Sequence, residues 1–274
     1  MGLIGGSMAL DLKKSGFVPH IIGVDKSEEH CKQALELGIA DEILPLKEAV
    51  QQSDLVIVAV PVDAIIKLLP EILDILPENA IVTDVGSTKT SLIEAVKNHP
   101  KRRQYVPSHP MSGTENSGPA AALCNLFRNK TAIICNAAES SPEALERVKA
   151  MYEHLGSKLV FMNAPSHDEH VGYVSHLAHA ISYALAVAVL EKEKNDAAIF
   201  NLASGGFSSA VRLAKSSVDM WLPIFKQNKA FILPIIDIYL DKLKEFKSYL
   251  EHDDTEKLTE FIKEANRIRG KLEH

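Results

Sequence analysis

The sequence predicts an α/β protein whose first part is a doubly wound, mostly parallel sheet and whose second part is all helix. Up to about residue 162, short apolar runs alternate with helical patterns, and the runs are continuous rather than alternating, as strands covered on both faces require. Beyond residue 163 such runs stop and helical periodicity alone remains. With 274 residues, 46% hydrophobic and 24% charged, the chain has apolar matter for two ordinary domains and too much for disorder.

The expected strands are 20–25, 55–60, 80–84, 104–107, 131–135 and 158–162. Helices are expected at 7–15, 27–37, 62–76, 88–97 and 142–155, long enough for crossover connections. The second part reads as helices at about 166–194, 195–204, 206–217, 219–227, 228–251 and 254–270. These patterns divide the chain into 1–163 and 164–271, with 272–274 resembling the remnant of an affinity tag. The segment 171–190 is apolar on nearly every side but carries Ser175, His176, His179 and Ser182, so it reads as a buried helix, with no membrane expected. One hundred residues of helix barely cover it, and a second subunit is expected to help.

Thirty basic against 36 acidic side chains give a net charge of −6, which lacks the basic footprint of a nucleic-acid partner. The three cysteines, Cys31, Cys124 and Cys135, have no disulfide or zinc spacing, and no secretory leader is evident, so a reducing cytoplasm is expected.

The chain opens Met1-Gly2-Leu3-Ile4-Gly5-Gly6-Ser7, followed by a helical pattern and a strand ending at Asp25. Against G-x-G-x-x-G, Gly2 and Gly5 take the second and third glycine places, and the first falls before Met1. Backbone at Gly2, Leu3, Ile4 and Gly5 would face a pyrophosphate at a helix N-terminus. Asp25, twenty residues past Gly5, would accept the ribose hydroxyls and favour NAD over a cofactor with a 2′-phosphate. Val60 and Pro61, at the end of the expected 55–60 strand, would line the same crevice. This is a Rossmann-type sheet whose first strand is missing from this chain. Without that strand its neighbours would stand about 9–10 Å apart, so the reading expects a further strand upstream of Met1.

Four polar segments remain: Asp84-Val85-Gly86-Ser87-Thr88-Lys89, Ser108-His109-Pro110-Met111-Ser112-Gly113-Thr114-Glu115, Ser175-His176-Leu177-Ala178-His179, and Gly205-Gly206-Phe207 through Arg212 to Met220-Trp221. In this order and at these separations they resemble the prephenate/arogenate dehydrogenases of tyrosine biosynthesis over nearly the whole chain. The resemblance implies a soluble homodimer that oxidatively decarboxylates prephenate with NAD. His109 would take the substrate hydroxyl proton and Ser87 would orient that hydroxyl. Arg212 would grip the ring carboxylate and His179 would contact the substrate's side chain. Thr114 and Trp221 would line the pocket, the tryptophan reaching across from a second subunit. Histidine suits proton transfer near neutral pH, and arginine suits a carboxylate.

On residue type alone His109 is equally a turn anchor, Ser87 a cap for helix 88–97 and Trp221 core packing. His176 and His179 share a helical face, but no third ligand follows, so no metal is expected and His176 reads as a buried structural residue, with His167 and Asp168 at the pocket's edge. Arogenate as substrate, or a related NAD-dependent 3-hydroxy acid dehydrogenase, stays open as an alternative.

Overall fold

The computed structural model describes residues 1–194 and 197–272. Its first half runs α1 (Leu3–Lys14), β1 (Ile22–Gly23), α2 (Glu28–Glu36), β2 (Glu42–Ile43), α3 (Leu46–Gln51), β3 (Leu55–Val58), α4 (Val62–Ile75), β4 (Ile81–Asp84) and α5 (Thr90–Val96). There follow β5 (Tyr105–Val106), β6 (Ser108–Pro110), β7 (Thr131–Cys135), α6 (Pro142–His154) and β8 (Lys158–Met162). The helical half comprises α7 (Ala164–Val171), a π turn (Gly172–His176), α8 (Leu177–Glu193), a 3-10 segment (Ala197–Leu202) and α9 (Gly205–Ala210). It continues with a 3-10 segment (Arg212–Lys215), α10 (Val218–Gln227), α11 (Lys229–Glu251), α12 (Thr255–Asn266) and α13 (Arg269–Leu272). Residues 195–196 of the helix expected at 195–204, and 273–274 of the tag-like end, lie outside the described residues.

The α/β and helical halves appear as expected, but the sheet is not continuous. β1 pairs only with β2, β3–β4–β5 form one parallel ladder, and β6 runs antiparallel to β7, which is parallel to β8. Between β1 and β3, where the expected order puts the first strand, the ladder is broken: no described residue hydrogen-bonds to both edges. β1 is accordingly held from one side and spans two residues instead of the expected six.

Burial on both faces explains the continuous runs. Within β4, Ile81 joins a core with Met8, Leu12, Ile134, Val148 and Met151, while Val82 joins the opposite core with Ile65, Leu69, Leu73 and Leu92. Successive strand residues face opposite ways, so both must be apolar when helices cover both faces. α6 takes its N-cap from Ser141, whose Oγ accepts the Ala144 N–H, with Pro142 in the first turn.

The apolar helix departs from expectation. Segment 164–193 is long and apolar enough to cross a membrane by length and composition, and only 11% of its most apolar window is buried. Within α8 only His179 and Ser182 are buried, whereas Val187 and Leu190 are exposed. Its neighbours in this chain cover one side, because α11 packs at the π turn and the segment Arg212–Lys215 lies along α8.

A test of the packing at the broken ladder is Gly23→Ala. A Cβ there would lie 3.0 Å from the Ala40 Cβ and 2.7 Å from the Ile43 Cδ1. Overpacking of this kind costs about 1–3 kcal/mol, read as a lower urea midpoint at unchanged slope.

Candidate active site

The site is built around the C-terminal end of β4. Asp84 and Lys89 are fully buried and ion-paired across the turn that carries Ser87. Asp84 Oδ2 also accepts the Gly86 N–H at 2.8 Å, and Oδ1 accepts the Tyr105 hydroxyl at 2.7 Å. Lys89 Nζ donates to the Ser108 carbonyl at 2.7 Å, while Ser108 Oγ donates to the Asp84 carbonyl at 2.7 Å. Both clamps end on the residue before His109, so the pair sets the backbone that carries the imidazole.

His109 lies on β6 opposite Ile133, past the expected strand 104–107 and in a ladder rather than a loop. Pro107 is the reason. It has no N–H for a ladder, and the chain passes there from β5, paired with β4, to β6, paired with β7. His109 Nδ1 stands 2.9 Å from His167 Nε2, and His167 Nδ1 stands 2.8 Å from Asp168 Oδ1. Asp168 also receives the Lys89 N–H on Oδ1 and the Thr90 N–H on Oδ2, both at 2.8 Å. The first turn of α5 is therefore satisfied by Asp168, and Ser87 does not cap it. His167 and Asp168 are buried within this hydrogen-bonded cluster.

Asn228 Nδ2 donates to His176 Nδ1 and to the Asp168 carbonyl, both at 2.8 Å, which ties α11 to this cluster. The Trp221 ring stacks on His179 at 3.4 Å between centroids and meets His176 edge-on at 5.8 Å. It also packs against Val62 at the start of α4. Trp221 thus reaches the histidines of its own chain, because α10 folds back onto α4.

The π turn sets the phase of these side chains. At about 100° per residue, an unbroken α-helix would set His167 and His179 about 120° apart. A π turn absorbs about one residue, which brings the two to within about 20° of each other. The helical periodicity of 164–193 does not mark that insertion.

Ser182 Oγ donates to the Ala210 carbonyl and accepts the Ala214 N–H, both at 3.0 Å, pinning the 3-10 segment that presents Arg212. The Arg212 guanidinium is 58% exposed and stands 3.8 Å from Glu115 in the loop after β6. Thr114 lies in the same loop, its hydroxyl accepting the Asn116 N–H. Arg212 and the segment that begins at His109 therefore converge.

At the other end, α1 begins at Leu3 rather than Ser7, so Leu3, Ile4 and Gly5 form a first helical turn with Gly2 at its N-cap, not a loop. Asp25 stands near this end, its Oδ2 paired with the Met1 ammonium and its Oδ1 accepting the Ser27 N–H at 2.9 Å. A Cβ on Gly2 would meet nothing within 4 Å, whereas one on Gly5 would lie 3.1 Å from the Ala59 Cβ. Hence α1 docks against the end of β3, beside the exposed Val60 and Pro61. Open space at Gly2, first-turn N–H groups and a carboxylate two residues past β1 fit a dinucleotide's pyrophosphate and ribose. Among the described residues no group of three His, Cys, Asp or Glu side chains is placed to hold a metal ion.

Burial dominates the titration of the site. It holds His109 well below the ordinary imidazole range, helped by His167, Lys89 and His176, and it lowers His167 and His179 as well. His176 is pushed down to about 4. Burial pushes Asp168 up, but hydrogen bonds from His167 and Thr90 outweigh it and keep the carboxylate ionised. A histidine depressed on folding binds protons more readily in the unfolded chain, so stability is full above the unfolded value of about 6.5 and falls with acid. Urea midpoints should decline from pH 6.5 towards 4, and His176→Gln should flatten that decline.

Comparisons with known proteins bear on the chain as a whole. The family model described as "Prephenate dehydrogenase, nucleotide-binding domain" matches residues 8–161, and "Prephenate dehydrogenase, dimerization domain" matches residues 163–264. The prephenate dehydrogenase of Bacillus subtilis (strain 168) is 33% identical over 99% of this chain and 74% of its own length. The cyclohexadienyl dehydrogenase of Zymomonas mobilis is 32% identical over 98% of this chain and 92% of its own length. The crystal structure of the Aquifex aeolicus prephenate dehydrogenase, in complex with hydroxyphenyl propionate and NAD+, superposes with a TM-score of 0.89 at 32% identity, covering 99% of this chain and 96% of that one. With both halves matched in order, the chain belongs to the prephenate dehydrogenase family.

Proposed function

We propose that this protein oxidatively decarboxylates prephenate to 4-hydroxyphenylpyruvate with NAD, in tyrosine biosynthesis. The observation that carries the reading is a buried, neutral imidazole beside the turn that bears Ser87, with an exposed guanidinium converging on the same loop. Gly2, Leu3, Ile4 and Gly5 would hold the pyrophosphate, Asp25 the ribose, and Val60, Pro61 and Ser87 the nicotinamide end. NAD, when bound, accepts the hydride from ring carbon 4.

His109 takes the proton of the carbon-4 hydroxyl. Its Nδ1 is engaged by His167, which leaves Nε2 to face that hydroxyl. Ser87, on the turn after β4, orients the same group. Arg212 grips the ring carboxylate with a planar fork, His179 contacts the side-chain end, and Thr114 and Trp221 close the pocket. The bond from carbon 1 to the ring carboxylate breaks as the ring becomes aromatic, so carbon dioxide leaves with no further oxidant. A base held neutral by burial is ready at pH 7, which a protonated imidazole would not be.

The family model's dimerization domain covers the helical half. We read the uncovered face of α8, with Val187 and Leu190, as the surface that a second copy covers in a homodimer. The free cysteines and the biosynthetic role support a cytoplasmic setting.

Following NADH absorbance with prephenate, arogenate and a simple 3-hydroxy acid tests the reading, and a rate with prephenate is expected. A rate with arogenate alone would move the substrate to the amino analogue, and a rate with the hydroxy acid alone would overturn the assignment. His109→Asn should lower turnover by about 10²–10⁴ with NAD binding little changed. Arg212→Lys should raise the Michaelis constant for prephenate more than it lowers turnover. Val187→Glu should shift the protein towards monomer in light scattering.

A further inference from the structure

Asp168 and His167 determine more than the packing around His109. An ionised carboxylate only accepts hydrogen bonds, and Asp168 takes three, from Lys89 N–H, Thr90 N–H and His167 Nδ1. His167 must therefore carry its hydrogen on Nδ1. Neutral, it then offers a lone pair at Nε2, which stands 2.9 Å from His109 Nδ1. The hydrogen in that contact belongs to His109 Nδ1, so the lone pair of His109 sits on Nε2, the nitrogen left free for a substrate.

We propose that His167 and Asp168 are positioning residues that fix the basic tautomer of His109 and carry the positive charge away from it after proton transfer. The inference rests on the reading of His109 as the base. As the substrate O–H bond breaks, an N–H bond forms at His109 Nε2. The N–H at His109 Nδ1 then passes its proton to His167 Nε2, and the imidazolium so formed keeps its Nδ1–H on the Asp168 carboxylate. One proton enters the chain and the charge ends beside a carboxylate, so no other reactant is needed. The charged groups facing the two rings are Lys89 and Asp84 from the β4 to α5 turn, Asp168 from α7 and His176 from the π turn. Lys89 opposes a charge on either ring, and the two carboxylates favour one on His167. His170 and Glu169 on the same helix are exposed. Transfer towards His167 is downhill for this reason and leaves His109 neutral with its hydrogen on Nε2; the basic tautomer returns once that hydrogen is lost to solvent and His167 Nε2 hands its proton back to His109 Nδ1.

Nitrogen-15 spectra of histidine-labelled protein at pH 7.5, with His109 assigned through the loss of its signals in His109→Asn, test the tautomer without turnover. A protonated Nδ1 and a bare Nε2 are expected in the native chain, and a hydrogen on Nε2 overturns the proposal. In Asp168→Asn the amide can donate to His167 Nδ1, which reverses both tautomers. Turnover should then fall by about 10²–10⁴ at little-changed Michaelis constant, since the equivalent reversal in a Ser-His-Asp triad costs about 10⁴. His167→Gln keeps an acceptor carbonyl for His109 Nδ1, so it should preserve the tautomer while moving the acid limb of kcat/KM to lower pH. Reduced turnover in Asp168→Asn with the native tautomer, or unchanged turnover and pH profile in both variants, would leave these residues a structural role only. If Asp168→Asn does not fold, the native spectra and His167→Gln decide. Absence of NADH formation by the native protein would defeat the functional reading and leave the tautomer result standing.

Discussion

The buried pair Asp84–Lys89 is the constraint on which the site depends. Two charges removed from water are not a source of stability by themselves, because their desolvation offsets most of their attraction. What makes the pair tolerable is that both partners are hydrogen-bonded further: the carboxylate by Gly86 N–H and Tyr105 hydroxyl, the ammonium to the Ser108 carbonyl. Those bonds join β4, β5, β6 and the turn into α5. Removing one partner would leave the other buried and unpaired, at a cost of about 3–5 kcal/mol, so the geometry they impose is strongly specified. Its outcome is the position of His109.

From that point the site is a set of neutral imidazoles in a dry environment. Burial keeps His109, His167 and His176 unprotonated near neutrality, which is what a base requires and what makes the fold sensitive to acid. The helical half completes the set through the π turn, Asn228 and Trp221. Chemistry and packing are therefore not separable here: α11 holds His176, and α10 places an aromatic face on His179 while resting on α4 beside the cofactor end.

Two surfaces show where this single chain satisfies itself least. The ladder between β1 and β3 is unmade, and most of α8 lacks cover. In the first case the neighbouring carboxylate of Asp25, which a ribose would use, accepts the Ser27 N–H. In the second, apolar residues such as Val187 and Leu190 face outward, as in a half of a larger hydrophobic core.

Local chemistry determined much of this protein. The runs at 80–84 and 131–135 had to be strands covered on both faces, the pattern after 163 had to be helical, and the ordered polar segments identified the family. Glycines before a helix and an acid after the next strand marked the dinucleotide end for the same reason, because spacing along the chain is spacing in a βαβ unit. Long-range geometry decided the rest. His109 moved from a loop to an antiparallel strand through the partner that β7 supplied, and Asp168, seventy-nine residues from Lys89, replaced Ser87 at the start of α5. The phase of the histidine-bearing helix turned on one inserted residue in a π turn, and the burial that neutralises the histidines came from elements distant along the chain. None of these is visible in a window of neighbouring residues, since each depends on which distant groups the packed chain brings within hydrogen-bonding distance.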